Sequence, residues 1–167
     1  MEKFLYTYRC SGFLGLIVIL LSIWGALGIS ILLLSVSGSD LGVSEAEFPR
    51  DAPWTPPGPF IGAVWALLYS LMAFSIWRLN DIANSGAIQF AILGLIAWCL
   101  VWPFYAFDTL NRWPGLIGNL GIFLISGALV LRLWRRDKVA ALSISLVTIW
   151  ITIATGTIID GAIRYGW

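Results

Sequence analysis

FLGLIVILLSIWGALGISILLLSV, residues Phe13 to Val36, carries no charge from end to end. A bilayer core about 30 Å thick is crossed by roughly 20 apolar residues wound as a helix. This stretch is therefore long enough to span a membrane on its own. It follows Lys3 and Arg9, as the apolar part of a secretory leader would. A leader's apolar core, however, is only roughly 7–15 residues long and ends at a small-residue cleavage site. The run exceeds that length and has no clean site, which predicts a retained helix.

Four more runs follow the same rule. The spacing predicts helices over about 59–79, 87–107, 116–134 and 139–163, in addition to 13–36. The polar stretch SGSDLGVSEAEFPRDAPWTPPG, residues 37–58, is expected to be an extramembrane loop carrying Asp40, Glu45, Glu47 and Asp51. Pro56 and Pro57 are barred from a helix interior and mark the entry to the second span. Asn80 to Gly86, Asp108 to Gly115 (DTLNRWPG) and Arg135 to Lys138 (RRDK) are predicted turns and loops. Pro103 is expected to kink the third helix or end it early. A β-barrel would need alternating segments of about ten residues, half the length of these runs. The reading is an all-α integral membrane protein: one membrane domain over 1–167, folded as a bundle of five transmembrane helices.

Composition agrees. Only 11% of the chain is charged and 59% is hydrophobic, whereas soluble domains carry about 25% charge. A net charge of +1 excludes the basic stripe that nucleic-acid binding needs. The chain has no histidine, which removes histidine acid–base catalysis and histidine ligation of haem or zinc. No catalytic residue and no metal site is expected. Cys10 and Cys99 lie far apart, and Cys99 sits deep in an apolar run, which reads as a buried inert thiol.

Orientation follows from the cations at the span ends. One side collects seven (Lys3, Arg9, Arg78, Arg132, Arg135, Arg136 and Lys138) and the other three (Arg50, Arg112 and Arg164). The N-terminus is thus expected in the cytoplasm, with the 37–58 loop on the opposite side.

Ionisable groups inside a membrane are costly and mark function by default, but few exist here. Asp160 lies near the end of the last run with Arg164 four residues on, the same-face spacing of an interfacial ion pair. A proton or ligand contact is the alternative for Asp160. Gln89 and Asn119 fall near helix starts, where capping or snorkelling accounts for them. Gly58, Gly62, Ala66 and Ser70 recur every four positions, a stripe that lets another helix approach closely, inside the bundle or in a dimer. Of the tryptophans, Trp77, Trp113, Trp134 and Trp167 fall at span ends, as in an aromatic belt. Trp24, Trp65, Trp98 and Trp150 fall well inside spans. Each alone is consistent with packing or with lipid contact; together such rings can wall a cavity for a flat ligand.

The stretch PWTPPGPFIGAVWALLYSLM, Pro53 to Met72, resembles the signature of the TspO/MBR family, the tryptophan-rich sensory proteins related to the translocator protein. Trp54, Pro56, Pro57, Val64, Trp65, Leu68, Tyr69 and Met72 match in order and spacing. Trp98 with Trp102, Phe104 and Tyr105 is similar to the end of the family's third helix. Ala140 to Thr155, with Trp150 and Ala154, is similar to the opening of its fifth. The resemblance covers roughly residues 53–163. It implies a five-helix bundle, often dimeric, with a pocket closed by the loop between the first two helices. It also implies binding of a tetrapyrrole such as protoporphyrin IX, or a similar flat apolar ligand, with a sensory, regulatory or transport role and no required cofactor. By that resemblance the ligand-binding residues are Trp54, Trp65, Tyr69, Trp98, Trp150 and Ala154. Light-dependent porphyrin breakdown is reported for some relatives, but nothing in the residues requires an enzyme. Departures from the family pattern are Leu95 in place of an asparagine three before Trp98, Asn119 in place of an acid, Leu146-Val147 in place of Pro-Tyr, and no cation after Tyr165. The alternative reading is an accessory structural subunit of a larger membrane assembly, such as a pigment–protein complex, that has lost ligand binding. Expected partners are lipid, the small ligand, and a second copy or such a complex.

Overall fold

The computed structural model describes residues 13–36, 54–106 and 113–165. Lys3, Arg9, Cys10, residues 37–53 of the expected loop, Arg112 and Trp167 lie outside the described residues. The described chain forms α1 (Phe13–Val36), α2 (Gly58–Arg78), α3 (Gly86–Ala106), α4 (Trp113–Trp134) and α5 (Lys138–Tyr165), with a 3₁₀ turn at Leu79–Asp81. All five helices are long and apolar enough to cross a membrane.

One boundary differs from the sequence expectation. The fourth helix starts at Trp113, inside the stretch read as loop. Pro114 is thus its second residue, in the first turn, where a missing N–H costs nothing. Pro103 does not end α3, which runs on to Ala106. Its missing N–H leaves the carbonyls of the preceding turn short of donors, and the Ser30 hydroxyl of α1 donates to the Leu100 carbonyl at 3.2 Å.

The bundle is built on α5. Its most extensive packing is with α4, then with α2; α3 packs on α4, and α1 lies against α2 with a lesser contact to α3. Lipid gives apolar faces no reason to associate, so small residues and hydrogen bonds decide which surfaces meet. A Cβ at Gly118 would collide with the Tyr105 hydroxyl and with Trp102 Cδ1, and one at Gly121 with Trp98 Cζ2 at 2.7 Å. Those two glycines are what lets the α3 aromatics lie against α4. Between α4 and α5, Thr148 Oγ1 donates to Ser126 Oγ at 2.9 Å. On α2, Ser70 accepts from Trp24 Nε1 at 3.3 Å, so the last member of the small-residue stripe meets α1, while an added Cβ at Gly58 or Gly62 would meet nothing within 4 Å.

One end of the bundle is tied by polar contacts. Arg78 Nε meets Asp137 Oδ2 at 2.8 Å, joining the end of α2 to the start of α5. Asp137 also caps α5, its Oδ1 accepting the N–H groups of Val139 at 2.9 Å and Ala140 at 3.0 Å. Burial works against its ionisation, but the Ala140 N–H, the Arg78 guanidinium and the Val139 N–H outweigh it and hold the carboxyl below its ordinary value. Gln89 Nε2 donates to the Ile76 carbonyl at 3.1 Å and to Asn80 Oδ1 at 2.8 Å, tying α3 to the end of α2. Arg136 Nη1 donates to the carbonyl of Asn84 at 2.9 Å. Asn84 is left-handed, with φ 58°, a conformation asparagine tolerates better than most residues.

Candidate functional site

Toward the other end, the helices enclose a cavity of about 380 Å³. That is in the lower part of the roughly 300–1,000 Å³ range of small-molecule sites. Every helix contributes, and so does the segment Thr55–Pro56 that leads into α2. No lining residue carries a formal charge. Aromatic rings form part of the wall: Trp65 and Tyr69 lie one turn apart on α2 with centroids 5.7 Å apart, and Trp150 faces in from α5. Phe60 leans on Trp150 from the mouth of α2, with centroids 6.4 Å apart.

Three buried polar atoms in the described chain lack a hydrogen-bond partner: Thr55 Oγ1, Asn119 Oδ1 and Trp150 Nε1. All three belong to residues that line this cavity. A buried polar group left unpaired costs about 1–3 kcal/mol. One N–H donor, one amide acceptor and one hydroxyl therefore stand ready for a ligand that supplies the complementary groups.

Of the six residues singled out by resemblance, Trp65, Tyr69, Trp150 and Ala154 line the cavity. Trp54 stands just outside its lining. Its indole packs over Gly156, where an added Cβ would meet Trp54 Cη2 at 3.2 Å. Its Nε1 donates to Asp160 Oδ2 at 3.2 Å, so it fixes the segment entering α2 to α5. Trp98 is not brought to the cavity: it packs on Gly121 and donates to the Tyr105 hydroxyl at 2.9 Å. The α3 tryptophan in the lining is Trp102, one turn on. Counted from Trp102, the position three residues earlier is Cys99, which also lines the cavity, while Leu95 is fully buried in the core.

Asn119 was expected to cap or snorkel; it is instead 1% exposed, with Nδ2 donating to Thr155 Oγ1 at 3.1 Å. Its position in the second turn of α4 hid that role, because only the packing of α5 reveals its surroundings. Thr55 gave no signal in sequence beyond its place beside the matched prolines. Asp160 does form the expected ion pair with Arg164, at 3.0 Å, and also accepts from Trp54. Among the described residues no group of three metal-ligating side chains stands close enough to hold a metal ion.

Fold and cavity together define a class: an integral, multi-pass helical membrane protein with an uncharged aromatic hollow inside the bundle. Residues 18–160 match the model of the TspO/MBR family, and the chain belongs to that family. The match begins well upstream of the stretch that carries the sequence resemblance and takes in most of α1. Membership suggests a membrane sensory or regulatory protein. Protein CrtK of Rhodobacter capsulatus is similar, 26% identical over an alignment covering 60% of this chain and 66% of that protein. The chain therefore spans just under two thirds of that relative's length.

Proposed function

We propose that this protein binds a flat, apolar molecule of the tetrapyrrole type in the bundle cavity and acts through that binding as a membrane sensor or regulator. The observation that carries the reading is the coincidence of three unpaired buried polar atoms with one aromatic, uncharged hollow. Aromatic walls stack on a flat ring system, and the unpaired groups reward a ligand that fills their hydrogen bonds. In the membrane, the arginine-rich end of the bundle, with Arg78, Arg132, Arg135 and Arg136, faces the cytoplasm by the excess of cations there.

The test is quenching of tryptophan emission by protoporphyrin IX in the detergent-solubilised chain. Trp65→Ala and Trp150→Ala are expected to weaken binding at least tenfold. Trp98→Ala, which removes a ring outside the cavity, leaves the affinity within about threefold of the parent. Equal affinity in all three variants would overturn the assignment.

A further inference from the structure

A second concavity lies at the opposite end of the bundle from Trp54 and the segment that enters α2. It is an open groove of about 780 Å³ between the start of α3 and the end of α4. Its cationic wall is Arg132, Arg135 and Arg136, with Trp134 beside them; Asn84 and Ala87 face them across the groove. Arg136 spends one donor on the Asn84 carbonyl and keeps the rest of its five. Arg132 and Arg135 make no ion pair or hydrogen bond among the described residues. The acid nearest in sequence, Asp137, is engaged by Arg78 and by the α5 backbone. No carboxylate lines the groove. The first turn of α3 adds the partial positive charge of a helix start. Among the described residues, three like charges are thus held together with no carboxylate in the groove lining.

The geometry points to a binding site for the phosphodiester headgroup of an anionic phospholipid. Two features favour a lipid over a free anion. Trp134 is half exposed at the end of its span, the depth at which tryptophan sits among headgroups. One turn further into the membrane the surface becomes apolar: Leu131 on α4 is 75% exposed and Phe90 on α3 is 71% exposed. Acyl chains can follow that surface while the phosphate meets the guanidiniums. Basic pockets between transmembrane helices are suited to such headgroups, each cation near the surface contributing about fivefold in affinity.

The experiment titrates the full chain, in a zwitterionic detergent, with phosphatidylglycerol carrying a fluorescent acyl chain. Unlabelled phosphatidylglycerol, phosphatidylcholine and inorganic phosphate serve as competitors. Phosphatidylglycerol is expected to displace the probe at least tenfold better than phosphatidylcholine, with phosphate ineffective at matched concentration. The double variant Arg132→Gln/Arg135→Gln should bind roughly 25-fold more weakly, while Lys138→Gln, outside the groove, changes binding less than threefold. Raising the salt should erode the preference in the parent chain, because exposed charges are screened; this arm needs no variant to fold. Equal competition by phosphatidylcholine, an unaltered double variant, or a salt-independent preference would each overturn the site. Displacement by phosphate at matched concentration would overturn the lipid and leave a free-anion site.

Discussion

Helices α1 and α4 invert what a soluble protein would teach. The most apolar stretch of α1 has mean hydropathy 2.7, the highest of the five spans, yet only 6% of it is buried. The stretch in α4 has mean hydropathy 2.0 and is 33% buried. In water the greasier helix would go inside. Here lipid is the solvent, and a helix of leucine and isoleucine is already solvated by it. Gly115, Gly118, Asn119 and Ser126 draw α4 inward, because they offer close approach and hydrogen bonds that lipid cannot match. Among the described residues, Ile23 is the one α1 side chain in the buried core.

That contrast can be broken by substitution, and the largest effect is expected at Gly118. Gly118→Ala sets a methyl against Tyr105 and Trp102 and should cost about 1–3 kcal/mol, read as a lower midpoint in SDS titration. Next comes the tie at the start of α5. Asp137→Ala removes the helix cap and should cost about 1 kcal/mol, with the Arg78 pair lost as well. Since this carboxyl is held below its ordinary value, its contribution is complete above about pH 4 and fades as pH falls through the lowered value. Melts of parent and variant should therefore converge in acid; a gap that persists at low pH would refute the ionic share. Thr148→Val, which deletes the hydrogen bond between α4 and α5, should cost about 0.6 kcal/mol in the same titration. Smallest is Gly25→Ala on α1. An added methyl there meets nothing within 4 Å, so no loss of stability is expected. A loss comparable to that of Gly118→Ala would mean that α1 is packed, and the contrast would fail.

The five spans were legible because uncharged runs of membrane length have few other readings. Their ends were less so: Pro114 and Pro103 are both helix breakers by habit, yet each is accommodated, one in a first turn and one by bundle neighbours. The cavity positions of Trp65 and Tyr69 were legible through the resemblance over Pro53–Met72, and those of Trp150 and Ala154 through the weaker one over Ala140–Thr155. Trp98 and Trp102 are four residues apart and share a helix face, so periodicity alone could not say which would reach the cavity. Gly121 decides it by giving Trp98 a seat against α4. The unpaired Asn119 acceptor was hidden, because only tertiary packing tells whether a polar atom finds a partner.

The clasp between Arg78 and Asp137 has a mechanical corollary. It joins α2 and α5, the helices bearing Trp65 and Trp150, at the arginine-rich extremity, while the Trp54–Asp160 hydrogen bond ties the segment entering α2 to α5 at the other. Trp150 lies thirteen residues along α5 from Asp137, a lever arm of about 20 Å at 1.5 Å per residue. A few degrees of splay about that fulcrum translate into an ångström or so between the two indoles. Tilting the two rods apart thus leaves the Arg78 extremity still and draws on the Trp54–Asp160 contact at the far end.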